Sequence, residues 1–205
     1  LWMKNMGVVN NYRKLHEYFE KVNLNWHKMN DVYIANHYLK NLGYDSLNSP
    51  VLEGDKIKDL LLLELYLEGG GNPDYVDEDG VPLLCRIIRM DEKKLAYHLI
   101  QRGCDINLVA HDRDTSALME ASSRGYEDLI ERLIDMGAEL EHASKEGQTA
   151  IILAMGNQHK EAARVLLNAG ADGLKEDHLQ MSALKYAELY GFKDLVQKIR
   201  GNHEE

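Results

Sequence analysis

Histidine and cysteine are the residue types in this chain that could bind a metal ion or attack a substrate. The nine histidines are scattered, and none forms an H-E-x-x-H motif or another close zinc pairing. The two cysteines, Cys85 and Cys104, lack the paired spacing of a zinc site, and we expect both to be buried packing residues rather than reactive or bridged thiols. The sequence therefore predicts no metal ion and no cofactor.

Motifs of other catalytic sites are also missing. No nucleophile-elbow G-x-S-x-G and no G-K-[ST] phosphate loop occurs. The run Gly69-Gly70-Gly71 follows a predicted helix and precedes a predicted hairpin, whereas a phosphate loop joins a strand to a helix. We interpret this run as a helix C-cap and expect a protein that is not an enzyme.

The composition excludes two classes of partner. The chain has 205 residues, and 24 Lys and Arg against 34 Asp and Glu give a net charge of −10, which repels phosphate backbones. No apolar run approaches the roughly 18 residues of a membrane-spanning helix. We expect binding neither to nucleic acid nor within a membrane.

The elements that would carry any binding site repeat with a period of about 33 residues. Glycines that follow an apolar helix-like string are spaced by 33, 34 and 33 residues, at Gly70, Gly103, Gly137 and Gly170. A second apolar position keeps the same step, at Leu84, Leu118, Ile151 and Leu184. A fixed period of this length indicates a stack of repeated units.

Each period predicts a pair of helices. Ser116, Thr149 and Ser182 stand where a helix N-cap would accept a backbone hydrogen bond. In the clearest repeat, the first helix is predicted over 117–124 and the second, after a turn at Gly125, over 127–136. Such a pair cannot bury its apolar faces alone, but stacked pairs share a continuous core.

The segments around these helix starts and around the spaced glycines are similar to the T-P-L-H-x-A helix start and the G-A-D-x-N turn of ankyrin repeat proteins, over roughly residues 56–200. Asp114 and Gln180 depart from the pattern, because they replace the hairpin glycine. The resemblance implies an all-α solenoid of stacked helix-turn-helix units with connecting hairpin loops. The domain is predicted over 49–205, with an irregular repeat at 49–76 and repeats at about 77–110, 111–143, 144–176 and 177–200.

Residues 1–48 have a different rhythm and contain both tryptophans. Two apolar stripes predict two helices there, which we interpret as an N-terminal cap on the first repeat. The alternative is that this aromatic-rich pair docks a partner or forms a homodimer, although a monomer is favoured.

The resemblance also implies a function, which is binding of another protein through a concave face made by the hairpins and the exposed side of the first helices. By position, this face holds the following candidate binding residues: Glu78, Asp79, Val81, Arg89, Met90, Asp112, Arg113, Thr115, Ser123, Arg124, Lys145, Glu146, Gln148, Asn157, His178, Leu179, Met181, Leu189 and Tyr190.

Two features of this face suggest how a partner is held. Four carboxylates crowd the first hairpin and would steer a basic protein, at Asp74, Asp77, Glu78 and Asp79. Four apolar residues of the last repeat are either interface anchors or core residues of an irregular C-terminal end, namely Leu179, Met181, Leu189 and Tyr190.

The leading hypothesis is a non-enzymatic binding module, in its most concrete form an inhibitor or immunity-type protein of a basic enzyme. The alternative is a targeting fragment of a larger effector or enzyme, because Leu1-Trp2-Met3 does not resemble a native start. The compartment stays open, with the cytoplasm favoured and the periplasm or secretion allowed if a signal peptide has been removed.

Overall fold

The structure is a computed structural model that describes Leu67, residues 72–77 and residues 79–202. The chain divides into two compact units, Leu1–Asn72 and Pro73–Glu205, and the elements given below belong to the second. The two predicted N-terminal helices, the glycine run at 69–71 and most of the predicted irregular repeat lie outside the described residues.

Four helix pairs follow one another in the second unit. The first helices of the pairs are α1 (Leu83–Arg89), α3 (Ala117–Ser123), α5 (Ala150–Gly156) and α7 (Ala183–Leu189). The second helices are α2 (Lys93–Gln101), α4 (Glu127–Asp135), α6 (Lys160–Asn168) and α8 (Lys193–Gly201). Two short antiparallel strands, β1 (Val109–Ala110) and β2 (Thr115–Ser116), precede α3, with Val109 opposite Ser116 and Ala110 opposite Thr115.

The pairs stack in two layers. In the layer of first helices, α3 packs between α1 and α5, and α5 also packs against α7. In the layer of second helices, α6 packs between α4 and α8. Leu83, Ile87, Ile88 and Leu99 are among the largest fully buried side chains, so the core runs between the layers as the stacking argument requires. The predicted all-α solenoid is confirmed, and the strands are only short hairpin arms.

The helix ends follow the sequence signals closely. Ser116 and Ser182 cap α3 and α7 by accepting the backbone N–H groups of Met119 and Lys185. Thr149 also precedes its helix, but its buried hydroxyl makes no hydrogen bond among the described residues. The predicted helices at 117–124 and 127–136 each end one residue earlier, because Arg124 and Met136 are their C-caps.

A hairpin leads into each first helix, and three of the four have the same internal bonding. Asp77, Ser144 and Asp177 each use a side-chain oxygen to accept two backbone N–H groups, two and four residues further along the chain. The loop then turns through a residue with positive φ, at Gly80, Asp114, Gly147 and Gln180. The two non-glycine residues flagged in the sequence therefore adopt the glycine-like conformation.

Backbone hydrogen bonds join each hairpin to the next. The N–H groups of His111, Lys145 and His178 donate to the carbonyls of Gly80, Arg113 and Glu146, at 2.9, 3.1 and 2.9 Å. The Lys145 ammonium also donates to the His111 carbonyl of the preceding hairpin at 2.7 Å. The four hairpins therefore form one connected row rather than four independent loops.

Replacement of Gly147 by alanine should destabilise the protein more than the same replacement at Gly137. Both residues have positive φ, which costs an L-residue about 1 to 2 kcal/mol, but only at Gly147 would the new Cβ meet another group, the His178 ring at 2.9 Å and its backbone nitrogen at 3.2 Å. The comparison is made by urea denaturation of Gly147→Ala and Gly137→Ala. Equal losses would show that the hairpin row accommodates the added Cβ at no measurable cost and would contradict the prediction.

Candidate protein-binding face

The predicted binding residues lie on the hairpins and at the ends of the first helices, except Glu78, which is outside the described residues. For two of these residues the predicted exposure is wrong, because the side chains are buried: Val81 and Thr115 are each only 6% exposed. Both residues follow the positive-φ turn, where the chain folds back towards its helix. Val81 donates its N–H to Asp77 at 2.8 Å, and Thr115 pairs with Ala110 in the short ladder.

A network of charged side chains occupies the middle of the predicted face. Arg89 forms a bidentate pair with Asp112, at 2.7 and 3.0 Å, and its Nε donates to Glu120 at 2.7 Å. The Thr115 hydroxyl donates to the same Glu120 oxygen at 2.7 Å, and Arg124 approaches the other oxygen at 3.4 Å. This network ties α1 to the second hairpin and to α3.

The charges of the network stabilise one another. Hydrogen bonds from Arg89 hold the pKa of Asp112 below its ordinary value. Burial lowers the pKa of Arg89, but its hydrogen bonds to Asp112 and Glu120 outweigh that effect and leave the pKa raised. Both partners therefore stay ionised over the physiological range, and the pair persists to a lower pH than an isolated aspartate would allow.

Glu120 was not predicted from the sequence, although a signal was present. It is only 4% exposed and lies in α3 between the buried residues Met119 and Ala121. A carboxylate inside an otherwise apolar helix face is costly unless it is paired, so its position alone indicates a cationic partner nearby.

Three predicted binding residues instead contact the preceding repeat. Arg124 donates to the carbonyl of Arg89 at 2.8 Å, Asn157 to that of Ser123 at 3.1 Å, and the Tyr190 hydroxyl to that of Gly156 at 3.2 Å. Each side chain follows a first helix and satisfies the last carbonyl of the first helix before it. Tyr190 also stacks on Tyr186, with ring centroids 6.0 Å apart.

An open depression lies at the first-repeat end of the face, with a volume of about 400 Å³. It is lined by five predicted residues and by Arg86, which was not predicted; the five are Asp79, Val81, Arg89, Met90 and Asp112. Arg86 lies 3.2 Å from Asp77, and Arg89 is held by its own carboxylates, so both cations already have partners.

The carboxylates of the first hairpin do not form a single acidic patch. The Asp77 side chain is only 8% exposed and holds the hairpin closed, as described above. Asp74 accepts the backbone N–H of Asp105 at 2.6 Å. Asp79 is exposed at the turn. Among the described members of the cluster, Asp79 is therefore the most exposed carboxylate.

The last repeat differs most clearly in its exposed leucines. Leu179 is 79% exposed and Leu189 is 68% exposed. The residues at the position of Leu179 in the other hairpins, immediately before the positive-φ residue, are Asp79, Arg113 and Glu146. The residues that end the other first helices, as Leu189 ends α7, are Arg89, Ser123 and Gly156. Both leucines therefore occupy positions that are not core positions in any described repeat.

A family model of ankyrin repeats in three copies matches residues 118–204. The chain is also 34% identical over 129 residues to an ankyrin repeat-containing protein of Treponema pallidum (strain Nichols). Residues 118–204 are therefore ankyrin repeats. Repeats of this family are generally protein–protein interaction modules and typically non-enzymatic.

Two further relatives support the same assignment. The chain is 36% identical over 76 residues to an ankyrin repeat protein of Rickettsia bellii (strain RML369-C) and 31% identical over 120 residues to ankyrin repeat and SOCS box protein 16 of Homo sapiens. The matched segments cover 63%, 37% and 54% of this chain and 43%, 42% and 26% of the Treponema, Rickettsia and human proteins. The chain therefore spans less than half the length of each.

The outer side of the last ankyrin repeat is charged. Lys185 in α7 stands where the other first helices have the buried residues Cys85, Met119 and Ile152, and it pairs with Glu176 at 2.7 Å. Arg200 in α8 pairs with Glu188 at 2.6 Å. Polar outer faces are typical of terminal repeats. The last repeat therefore has charged residues at positions that are buried in the other repeats. It has leucine at two positions where the other repeats have polar residues or glycine.

Neither cysteine has the character of a nucleophile. Both are buried, and burial raises the pKa of each thiol to about 12. The predicted packing role of Cys85 and Cys104 agrees with this environment.

Among residues 72–77 and 79–202, no group of three or more His, Cys, Asp or Glu is placed to hold a metal ion. In that same part of the chain, no helix is long and apolar enough to cross a membrane.

Removal of the Glu120 carboxylate should destabilise the ankyrin stack strongly. Glu120→Ala leaves Arg89 and Arg124 without their shared buried partner, and breaking such a pair costs about 2 to 4 kcal/mol. The matched control is Asp194→Ala, which removes ion pairs to Lys160 and Arg164 on the exposed surface and should cost much less. Urea denaturation measures both, and a loss for Glu120→Ala no larger than for Asp194→Ala would contradict the role of the network.

Proposed function

We propose that this ankyrin repeat protein binds one partner protein through its hairpins and first-helix ends, with the last repeat as the apolar anchor. The observation that carries the proposal is the exposure of Leu179 and Leu189 at positions that are polar or glycine in the other repeats. Burial of an exposed leucine side chain yields about 1.5 to 3 kcal/mol. Two such side chains could therefore supply much of the affinity of a modest interface.

The rest of the face is suited to act as a stiff support. The hairpins are bonded to one another through their backbones, and the Arg89 network holds the first two repeats together. A surface that is already ordered loses little conformational entropy when a partner binds. Residues such as Arg124, Asn157 and Tyr190 would then contribute by holding the shape of the face, rather than by direct contact.

The more specific form of the proposal is that the partner is a basic enzyme and the chain is its inhibitor or immunity-type protein. The net charge of −10 and the exposed Asp79 at the first hairpin support attraction to a cationic surface. Asp77 is left out of this role, because its carboxylate closes the hairpin.

A second candidate is supported by the lengths of the relatives. Because the matched segments cover less than half of the Treponema and Rickettsia proteins, the repeats could deliver a larger effector or enzyme to its target. A catalytic domain encoded in the same reading frame would favour this candidate over the stand-alone inhibitor. The binding face would be the same in both cases.

Replacement of the two exposed leucines should strongly lower the affinity for the partner protein. The double variant Leu179→Ser/Leu189→Ser should bind the partner captured from the source organism at least roughly 100-fold more weakly than the parent, because two apolar anchors are lost. The affinities are measured by isothermal titration calorimetry on folded proteins.

The matched control is Met136→Ser/Leu174→Ser, which removes apolar residues that are 39% and 41% exposed and lie outside the candidate binding residues. This control should bind as the parent does. Equal affinity of the double leucine variant and the parent would contradict the anchor, and equal loss in both variants would show that binding follows general hydrophobicity.

Charge reversal at the first hairpin should slow association with a basic partner. Glu78→Arg/Asp79→Arg should lower the association rate about tenfold at low salt, with the difference shrinking at high salt as the charges are screened. Stopped-flow mixing measures the rate. The control is Glu127→Arg/Asp128→Arg, which changes the net charge by the same amount but at the exposed surface of α4. An unchanged rate in the hairpin variant would refute local steering.

A further inference from the structure

The four hairpin turns present side chains of different chemistry along the stack. The residue before each positive-φ turn is defined here as a tip residue, and the tip residues are Asp79, Arg113, Glu146 and Leu179. All four are exposed. The series begins with an acid, passes through charges of both signs and ends with an apolar residue, so the two ends of the row differ chemically.

The two charges in the middle of the row differ from Asp79 in their contacts. The Arg113 guanidinium lies 3.7 Å from Asp112, and Glu146 accepts the hydroxyl of Ser144 at 3.1 Å. The Asp79 carboxylate pairs with no cation among the contacts of the described residues. Asp79 is therefore the tip residue whose charge is most open to a partner.

The depression at the Asp79 end suits a long cationic side chain. Met90 and Val81 contribute apolar atoms to its lining for the stem, and Asp79 contributes a carboxylate for the charged group. Arg86 and Arg89 in the same depression are paired with Asp77, Asp112 and Glu120, which reduces their repulsion of an incoming cation.

The opposite end suits an apolar side chain. Leu179 is the most exposed large apolar residue among those described, and its neighbour on the hairpin, Met181, is half-buried. Because its carboxylate closes the hairpin from inside, Asp177 places no free charge beside the leucine.

From these observations we infer that the row of tip residues binds an extended polypeptide segment laid along the stack, cationic where it crosses the first hairpin and apolar where it crosses the last. This inference rests on the proposed function and specifies its partner. Neighbouring helices pack about 8 to 10 Å apart, so three repeat steps span about 24 to 30 Å. An extended chain covers that distance in about eight residues.

A library of random dodecapeptides displayed on phage, selected on the immobilised full chain, tests the inference. The enriched peptides should carry Lys or Arg and Leu, Met or Phe separated by about seven to nine residues. A synthetic copy should bind at least tenfold more weakly to Leu179→Ser and to Asp79→Arg. Its affinity for the control variant Glu131→Arg, on the exposed surface of α4, should match its affinity for the parent.

Three outcomes would overturn the inference. The first is that no peptide is enriched, and the second is that the enriched peptides lack the two separated side chains. The third is that their binding depends on Leu179 but not on Asp79, which would leave the apolar anchor of the proposed function intact. Failure of the proposed function itself is a different result, because the captured partner protein would then bind the double leucine variant as tightly as the parent.

Discussion

The structure depends on one constraint, which is that a single helix pair of this length cannot bury its own apolar faces. Each pair covers its neighbours, and the fully buried residues Ile87, Leu133 and Leu166 are parts of one continuous core. This requirement sets the period of the sequence, because every repeat must present the same faces in the same register. It also decides which residues are available for binding, since a residue used for stacking is withdrawn from the surface.

Polar residues also take part in the stacking. The Arg89 network, the side chains of Arg124, Asn157 and Tyr190, and the bonds between hairpins all join one repeat to the next. Much of what resembles a polar binding surface in the sequence is therefore part of the internal structure. The side chains of the tip residues and the exposed leucines of the last repeat take no part in these contacts between repeats, and the proposed function assigns the partner to them.

The sequence predicted the architecture because periodicity and capping are local signals. The 33-residue step, the cap at Ser116 and the turn at Gly137 follow from residue type and spacing, and the structure confirms them. The irregular hairpin residues Asp114 and Gln180 were also recognisable, because they stand where the other repeats have glycine. The N-terminal helices and the domain boundary after residue 48 stay predictions.

The contacts of individual site residues could not be predicted in the same way. Arg124, Asn157 and Tyr190 differ in type, and their shared acceptor is a backbone carbonyl, which leaves no pattern in the sequence. Val81 and Thr115 look like surface residues from their place beside a turn, but the chain folds back there and buries them. For Leu179, the sequence left core and surface open, and only the exposed fraction decides between them.

The most direct test of this account is hydrogen exchange on the chain alone and saturated with its captured partner. The account predicts slower exchange in the complex at the hairpins, in residues 110–115, 144–148 and 177–182, with unchanged rates in α4 and α6. Protection confined to α4 and α6, with the hairpins unaffected, would place the partner on the second helices and contradict the central claim.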